Sequence, residues 1–161
     1  MNNFDIIYKE NYQKMFCVGQ KMINDREAVS DIVQEVFVYY YQKSQNKHPV
    51  EHLQSWLIRA TINKCIDYSN RRKKHFKIDA IKNYSTQDDL LEQQQDKNVI
   101  HLALSKLGAD ERKLVVLYSE GLTYKEIAQI ADVRFTSVGK MLSRSLKKLN
   151  EILKNLNYEL Y

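Results

Sequence analysis

Apolar residues recur every three or four positions along most of the chain, which predicts amphipathic helices. In the first half they predict three helices: residues 4–23, a second helix ending near Tyr41, and a third from about His52 to Lys74. Asn24, with Glu27 three residues later, is predicted to cap the second helix. Residues 44–51 hold the single proline and are predicted to form a loop.

The second half shows the same helical spacing from Val99 onward. A helix over residues 111–120 is predicted to end at Gly121, because glycine is favoured just after a helix. Thr123 and Glu126 form a second capping box, and a last helix is predicted over about 135–156. Since no segment alternates as a strand would, the predicted fold class is all-α.

Composition and charge divide this helical chain into parts. Hydrophobic residues make up 43% of it and the mean hydropathy is −0.56, as in a soluble globular protein. The net charge is +5, from +4 in residues 1–75, −2 in 76–100 and +3 in 101–161. We therefore predict two small helical domains, 1–75 and 98–161, joined by an acidic, flexible linker over 76–97.

Other classes of site find little support. Cys17 and Cys65 lie in apolar helical patterns and are interpreted as reduced core residues of a cytoplasmic protein. The histidines beside the proline lack further metal ligands, and no phosphate loop or nucleophile motif is present. No apolar run near the N-terminus suggests a signal peptide. We expect no catalytic site, metal, cofactor or small-molecule substrate.

Residues 123–148 have the spacing of a helix-turn-helix. Ala128 supplies the small residue at the helix crossing, Asp132 tolerates the positive φ of the turn, and Val138 is the branched apolar residue of the second helix. Short hydroxyls and long cations on the other side of that helix suit base edges and phosphates. They are Thr136, Ser137, Lys140, Ser143, Arg144 and Lys147. The alternative is a solvated face on an ordinary helical hairpin.

The first half offers a weaker nucleic-acid signal. The run 71–74 is Arg-Arg-Lys-Lys, which is either a phosphate-binding cluster or a charged helix end. Three consecutive tyrosines, 39–41, cannot share one helix face, so at least one ring must meet solvent. Exposed aromatic rings beside cations suit unstacked single-stranded bases. Trp56 is either part of such a site or simply core.

Three stretches resemble the extracytoplasmic function (ECF) sigma factors of bacterial RNA polymerase. Residues 25–37 resemble the family's polymerase-binding helix, 55–68 with the basic run resemble its promoter-melting helix, and 121–128 resemble its minus-thirty-five reader. Together they reach over nearly the whole chain outside the predicted linker. The resemblance implies a region 2-like bundle, a region 4-like helix-turn-helix domain, and a protein that leaves chemistry to the polymerase.

The resemblance also implies partners and site residues. The partners are core RNA polymerase, promoter DNA as duplex and as melted strand, and an anti-sigma factor. Polymerase binding is implied for Asp31, Gln34, Glu35 and Phe37. Binding and melting of the minus-ten element is implied for Trp56, Arg59, Asn63, Lys64, Tyr68, Arg71, Arg72, Lys73 and Lys74. Reading of the minus-thirty-five element is implied for Thr123, Arg134, Thr136, Ser137, Lys140, Ser143, Arg144 and Lys147.

The recognition helix departs from the family pattern at its start. Arg134 stands where the family has a capping serine and Thr136 where it has a glycine, so Thr136 is a candidate cap that would shift the helix start. Two other classes of protein remain open from the residues alone. One is a stand-alone helix-turn-helix regulator that binds duplex DNA as a dimer. The other is a polymerase-binding inhibitor, which has no need for a recognition helix.

Overall fold

The computed structural model describes residues 2–46, 50–79 and 92–156, without the side chains of 74–79 and 92–98. Within these ranges every regular element is an α-helix, which confirms the all-α prediction. The helices are α1 (Asn3–Met22), α2 (Arg26–Gln45), α3 (Leu53–Asp79), α4 (Glu92–Ser105), α5 (Ala109–Ser119), α6 (Tyr124–Ala131) and α7 (Phe135–Asn155). None of the helices so described is long and apolar enough to cross a membrane.

Two helix boundaries show how local sequence sets the fold. The Asp25 carboxylate accepts a hydrogen bond of 3.1 Å from the backbone N–H of Ala28, so Asp25 caps α2 and the prediction of Asn24 is wrong by one residue. At α6 the predicted box is confirmed: the Thr123 hydroxyl accepts from Glu126 N at 3.2 Å, and Thr123 N donates to the Glu126 carboxylate at 2.8 Å.

Helices α1, α2 and α3 form a bundle in the first half. Its fully buried side chains are those that the apolar periodicity selects, including Met15, Val33, Leu57 and Ile62. Gly19 lies against α2 so closely that a Cβ there would sit 2.7 Å from Val29 Cγ1. Cys65 is buried as predicted, but Cys17 is exposed because it lies on the solvent side of α1, which corrects its assignment to the core.

Helices α5, α6 and α7 form the second helical unit, with α4 laid against α7. Gly121 follows α5 at φ +78°, the left-handed conformation that glycine adopts without strain, as predicted. Lys148 of α7 donates to the Glu111 carboxylate of α5 at 2.9 Å. Leu142 and Leu153 of α7 are buried in this unit.

The two halves pack against each other through a continuous apolar core. Arg112 of α5 donates to the carbonyl oxygens of Leu104 at 2.7 Å and Ser105 at 2.9 Å, and to Met22 O of α1 at 2.8 Å. The Arg112 guanidinium thus donates hydrogen bonds to carbonyl oxygens in the last turn of α4 and links the end of α4 to α1. Next to it, Lys21 of α1 pairs with Glu120 at 2.6 Å.

Helices reach further into the predicted linker than the sequence indicated. Helix α3 continues to Asp79 and α4 begins at Glu92, whereas the apolar pattern stopped near Lys74 and resumed at Val99. The reason is that polar side chains such as Lys, Glu and Gln have good helix propensity even where they bury nothing. Residues 80–91 of the predicted linker, and His48, lie outside the described residues.

Candidate nucleic-acid and polymerase interfaces

A shallow groove of about 520 Å³ runs along the outer side of α2. The groove is lined by Asp31, Gln34 and Glu35, three of the four residues predicted to bind polymerase, and Lys64 of α3 lies on one side of it. Lys64 donates to the Glu35 carboxylate at 2.9 Å. A residue predicted to bind DNA is therefore paired with one predicted to bind polymerase, and the two predicted surfaces meet here.

The fourth predicted docking residue, Phe37, does not lie on this surface. Only 1% of its side chain is exposed, and its ring packs edge-on against Tyr8 at 4.9 Å between centroids. Phe37 is a core residue because it lies on the face of α2 that carries Val33, one turn earlier. The apolar side chains that do open onto the groove are Val38, 54% exposed, and Tyr39, 53% exposed, which sequence reasoning did not assign to it.

The α3 residues that are predicted to bind the minus-ten element lie on two stripes of the helix surface. Trp56, Arg59 and Asn63 follow one another at helical spacing, and Arg71, eight residues after Asn63, lies between this stripe and the next one. Arg59, Asn63 and Arg71 are exposed and Trp56 is half-buried. We call these four residues the α3 outer stripe.

The other stripe, formed by Lys64, Tyr68 and Arg72, faces α2. Tyr68 donates its hydroxyl hydrogen to Asp25 Oδ2 at 2.9 Å, and Arg72 lies 3.2 Å from the Tyr68 oxygen and 3.5 Å from Asp25. The N–H of Ala28 and the Tyr68 hydroxyl lower the pKa of Asp25. Burial, then the bond to Asp25, raises the pKa of Tyr68. This stripe holds the start of α2 against α3.

Aromatic rings gather where α2 ends and α3 begins. Trp56 stacks on Tyr39 at 5.8 Å between ring centroids with 21° between planes, and Lys43 lies 5.6 Å from the Trp56 ring centroid. Tyr39 and Tyr41 are exposed, as the three-tyrosine run predicted. The half-buried Trp56 thus belongs to the edge of the core and to a surface of stacked rings at once. Such a surface offers π-faces and a cation to an unstacked base.

The basic run 71–74, which lies inside the C-terminal half of α3 and not at its end, is solvent-facing as far as its side chains are described. Arg71, Arg72 and Lys73 are exposed, while the side chain of Lys74 lies outside the described residues. Arg72 is held toward Asp25, whereas Arg71 belongs to the outer stripe. The run is therefore not one uniform cluster, because neighbouring helical residues point about 100° apart.

Helices α6 and α7 meet as the helix-turn-helix spacing predicts. Asp132 has φ +56° and ψ +48°, the left-handed turn conformation, and Val133 N donates to Ala128 O at 3.1 Å. Ala128 is 9% exposed and Val138 is fully buried. The small residue, the turn residue and the branched residue thus occupy the places that the motif requires.

The opposite side of α7 is open to solvent. Thr136, Lys140, Ser143, Arg144 and Lys147 are exposed, and Ser137 is half-buried. Thr123, at the start of α6, is also exposed. Hydroxyls and cations thus face outward along three turns of the helix that the motif would place in a major groove.

The start of α7 differs from one expectation. The helix begins at Phe135 with Arg134 as its N-cap residue, and Arg134 makes no side-chain cap hydrogen bond. Thr136 is therefore inside the first turn and not the cap. The stacking of α6 on α7 places the turn here, so the helix starts where the tertiary contacts allow, without a favourable cap.

Two family models match the chain. Residues 7–75 match Sigma-70 region 2, and residues 97–149 match Sigma-70 region 4. Together the two models span about three quarters of the chain. Residues 76–96 lie between the two matches.

Similar proteins agree with this assignment. The chain is 25% identical to the ECF RNA polymerase sigma factor SigE of Mycolicibacterium smegmatis over 162 residues, which is 95% of this chain and 62% of the relative. It is 25% identical to the ECF RNA polymerase sigma-E factor of Escherichia coli K12, over 76% of this chain and 72% of the relative. The chain thus spans less than two thirds of the length of the first relative.

Two solved structures share the fold. One is the sigma factor RpoE in complex with the anti-sigma factor NepR from Bartonella quintana, with a TM-score of 0.73 and 20% identity over 96% of this chain and 98% of that one. The other is CnrH in complex with the cytosolic domain of CnrY, with a TM-score of 0.73 and 20% identity over 94% and 88%. Together, the two family models, the similar proteins and the shared fold confirm the resemblance noted in the sequence.

Proposed function

The chain belongs to the sigma-70 family, and we propose that it is an ECF-type sigma factor that binds core RNA polymerase, recognises a promoter and promotes its opening. The observation that carries this proposal is the match of both region 2 and region 4 in one chain. We propose that residues 1–75 act on polymerase and the minus-ten element and residues 98–161 on the minus-thirty-five element. Binding and strand opening are non-covalent acts, so the chain itself catalyses no bond change.

For polymerase docking we propose the α2 groove, with Asp31, Gln34 and Glu35 as polar contacts. Val38 and Tyr39 supply exposed apolar area beside these carboxylates. Apolar contact in the centre with charge at the edge is the usual composition of a protein interface. Phe37 is left out of this surface because its ring is buried.

The test of docking uses the Glu35–Lys64 pair. Glu35→Lys reverses one charge of the groove and should lower the affinity for core polymerase about ten-fold, because like charges across an interface repel. The same substitution also breaks a surface ion pair. The double variant Glu35→Lys with Lys64→Glu restores the pair in reverse while keeping the altered charge at position 35.

The two variants separate docking from folding. Affinity for core polymerase is measured by fluorescence anisotropy, and promoter-specific transcripts are counted in the same reactions. If the double variant recovers full affinity, position 35 matters only for the fold of the bundle and the docking assignment is wrong. If neither variant nor the native chain yields specific transcripts with core polymerase, the sigma-factor proposal itself fails.

For promoter opening we propose the α3 outer stripe, whose Trp56 ring is supported by the stacked ring of Tyr39. Arg59 and Arg71 are placed to hold the phosphate backbone while the Trp56 ring accepts a base that has left the duplex. Arg59→Ala with Arg71→Ala should therefore lower transcription from duplex promoters. A template with a pre-formed bubble at the minus-ten element should recover much of that loss, because the cost of unpairing has already been met.

A matched control replaces two exposed lysines elsewhere. Lys106→Ala with Lys154→Ala removes the same charge from the turn after α4 and from the end of α7. Abortive transcripts are compared on duplex and bubble templates for both double variants. Equal losses on the two templates for the Arg59 and Arg71 variant would assign the stripe to general binding and not to opening.

The partners and the setting follow from the same proposal. An anti-sigma factor is proposed as a partner because both solved neighbours are described in complex with one or with a cytosolic domain. A cytoplasmic location is proposed because core polymerase and promoter DNA are there. The stand-alone regulator is disfavoured, since it needs no region 2 and that match extends over residues 7–75.

A further inference from the structure

The most exposed large apolar side chain of the described residues is Phe135, at 60%. Its ring is not among those packed against either core cluster. An isolated exposed apolar side chain is common on protein surfaces and needs no explanation by itself. Phe135 stands apart because it is the first residue of α7, the helix whose N-terminal end enters the major groove in this motif.

The surroundings of Phe135 leave room for a base. Four residues later on the same flank of α7 stands Gly139, which has no side chain to fill the groove side. The Tyr124 ring of α6 occupies part of that place: a Cβ on Gly139 would meet Tyr124 Cε2 at 3.4 Å. Tyr124 is itself 43% exposed. An apolar flank therefore lies beside the polar one that carries Thr136 and Lys140.

Helical geometry directs the Phe135 ring outward. Side chains on an α-helix project toward its N-terminus, so the ring at the first position extends beyond the start of α7. Arg134 just before it makes no capping hydrogen bond, and the Phe135 side chain itself is 60% exposed. The only base edge in the major groove that offers an apolar group is thymine, through its 5-methyl group.

We propose that Phe135 is a specificity-determining residue of the duplex-reading module, and that its ring contacts the 5-methyl group of a thymine in the upstream promoter element. The proposal rests on the proposed function, because it requires α7 to lie in the major groove. The polar face from Thr136 to Lys147 then reads neighbouring base pairs and holds phosphates, while Phe135 selects for thymine at one position.

The test removes the methyl group alone. Full-length protein with core polymerase is assayed for promoter binding on templates in which each thymine of the upstream element is replaced in turn by uracil. At one position the native chain should lose about three- to five-fold in affinity, the value expected for one buried methyl group. The Phe135→Ala variant should bind the thymine template with an affinity that is lower by a similar factor. Replacing that thymine by uracil should not lower the affinity of this variant further.

Controls separate this contact from other roles of the ring. Tyr118→Ala removes a 48% exposed ring at the end of α5. This variant should bind the thymine template and the uracil template with the same affinities as the native chain. Phe135→Leu keeps apolar contact and should retain part of the preference. Uracil sensitivity that survives in Phe135→Ala, or a preferred upstream element without thymine, overturns the proposal.

The proposed function is judged separately in the same assay. Lys140→Ala with Arg144→Ala should lower use of promoters that depend on the upstream element. If that variant loses affinity while uracil has no effect at any position, α7 reads DNA and only the assignment of Phe135 is wrong. If the double variant binds like the native chain, α7 is not the reader and both proposals about it fail.

Discussion

The two cysteines show how burial sets the chemistry of a single residue. Burial raises the pKa of the Cys65 thiol to about 12, whereas Cys17 is exposed on α1. Because the thiolate is the reactive form, one thiol per folded chain should react with Ellman's reagent at pH 8, and two after unfolding in urea. Cys17→Ser should abolish the reaction of the folded chain. Two reactive thiols in the folded chain would contradict the burial of Cys65.

Gly19 is the residue on which the packing of α1 against α2 depends most directly. Gly19→Ala should destabilise the protein by about 1–3 kcal/mol, even though alanine favours a helix by about 1 kcal/mol, because Val29 is fully buried and cannot move away. With Val29→Ala the added methyl group has space, so the penalty should largely disappear. Urea unfolding of the four chains of this cycle measures the coupling, and additive effects would contradict the close contact.

At the scale of an element, the start of α2 is tied to the middle of α3 through Asp25. The N–H of Ala28, then the Tyr68 hydroxyl, hold the pKa of Asp25 below its ordinary value of 3.8. The folded protein therefore keeps this carboxylate ionised at a pH where the unfolded chain binds a proton. Its contribution to stability is present above about pH 4 and is lost as the pH falls through the lowered pKa.

Asp25→Asn tests this dependence because asparagine also caps helices and accepts a hydrogen bond. The variant should be less stable than the native chain at pH 6, and the difference in the free energy of unfolding should shrink by pH 3. Glu111, whose pKa the Lys148 ammonium lowers, is common to both chains and cancels in the comparison. A difference that stays constant between pH 6 and pH 3 would show that the charge of Asp25 is not involved.

At the scale of the whole molecule, the two halves are held together by a shared core and by polar contacts around α5. The Lys21–Glu120 pair is the part of this junction that substitution can reverse. Glu120 is only 11% exposed, so Lys21→Glu should destabilise the junction by about 1–3 kcal/mol. Under the proposed function the two halves read promoter elements about two helical turns apart, roughly 70 Å, and we therefore expect them to separate on promoter DNA.

Substitution of the Lys21–Glu120 pair therefore tests whether this pair helps to hold the two halves together. Lys21→Glu should increase the radius of gyration measured by small-angle scattering, and Lys21→Glu with Glu120→Lys should restore the compact value. The reversed pair is the control because it keeps both side chains and their lengths similar. A radius unchanged in the single variant would mean that the apolar core alone holds the halves together.

The helix-turn-helix shows how much local sequence decides. The Thr123–Glu126 box, the left-handed Asp132 and the buried Val138 were all predicted, because caps, turn conformations and apolar periodicity depend on residues within one or two turns. The same reasoning predicted an all-α fold and placed the exposed face of α7. It failed by one residue at the start of α2, where Asp25 and not Asn24 is the cap, and it offered Thr136 as a cap although α7 begins before it, because neighbouring candidate caps compete and packing chooses between them.

Tertiary structure decided which side of each predicted helix is buried and which side is exposed. The family resemblance implied that Phe37 binds polymerase, and the apolar pattern placed Cys17 in the core, yet the bundle buries Phe37 and exposes Cys17. Periodicity gives a helix an apolar face, but a residue at the edge of that face is buried or exposed according to the neighbouring helix. The Lys64–Glu35 pair and Arg112 of α5, which links Met22 to the end of α4, join residues 29 and 90 positions apart. Such contacts depend on the arrangement of the helices in space, and no local pattern in the chain encodes them.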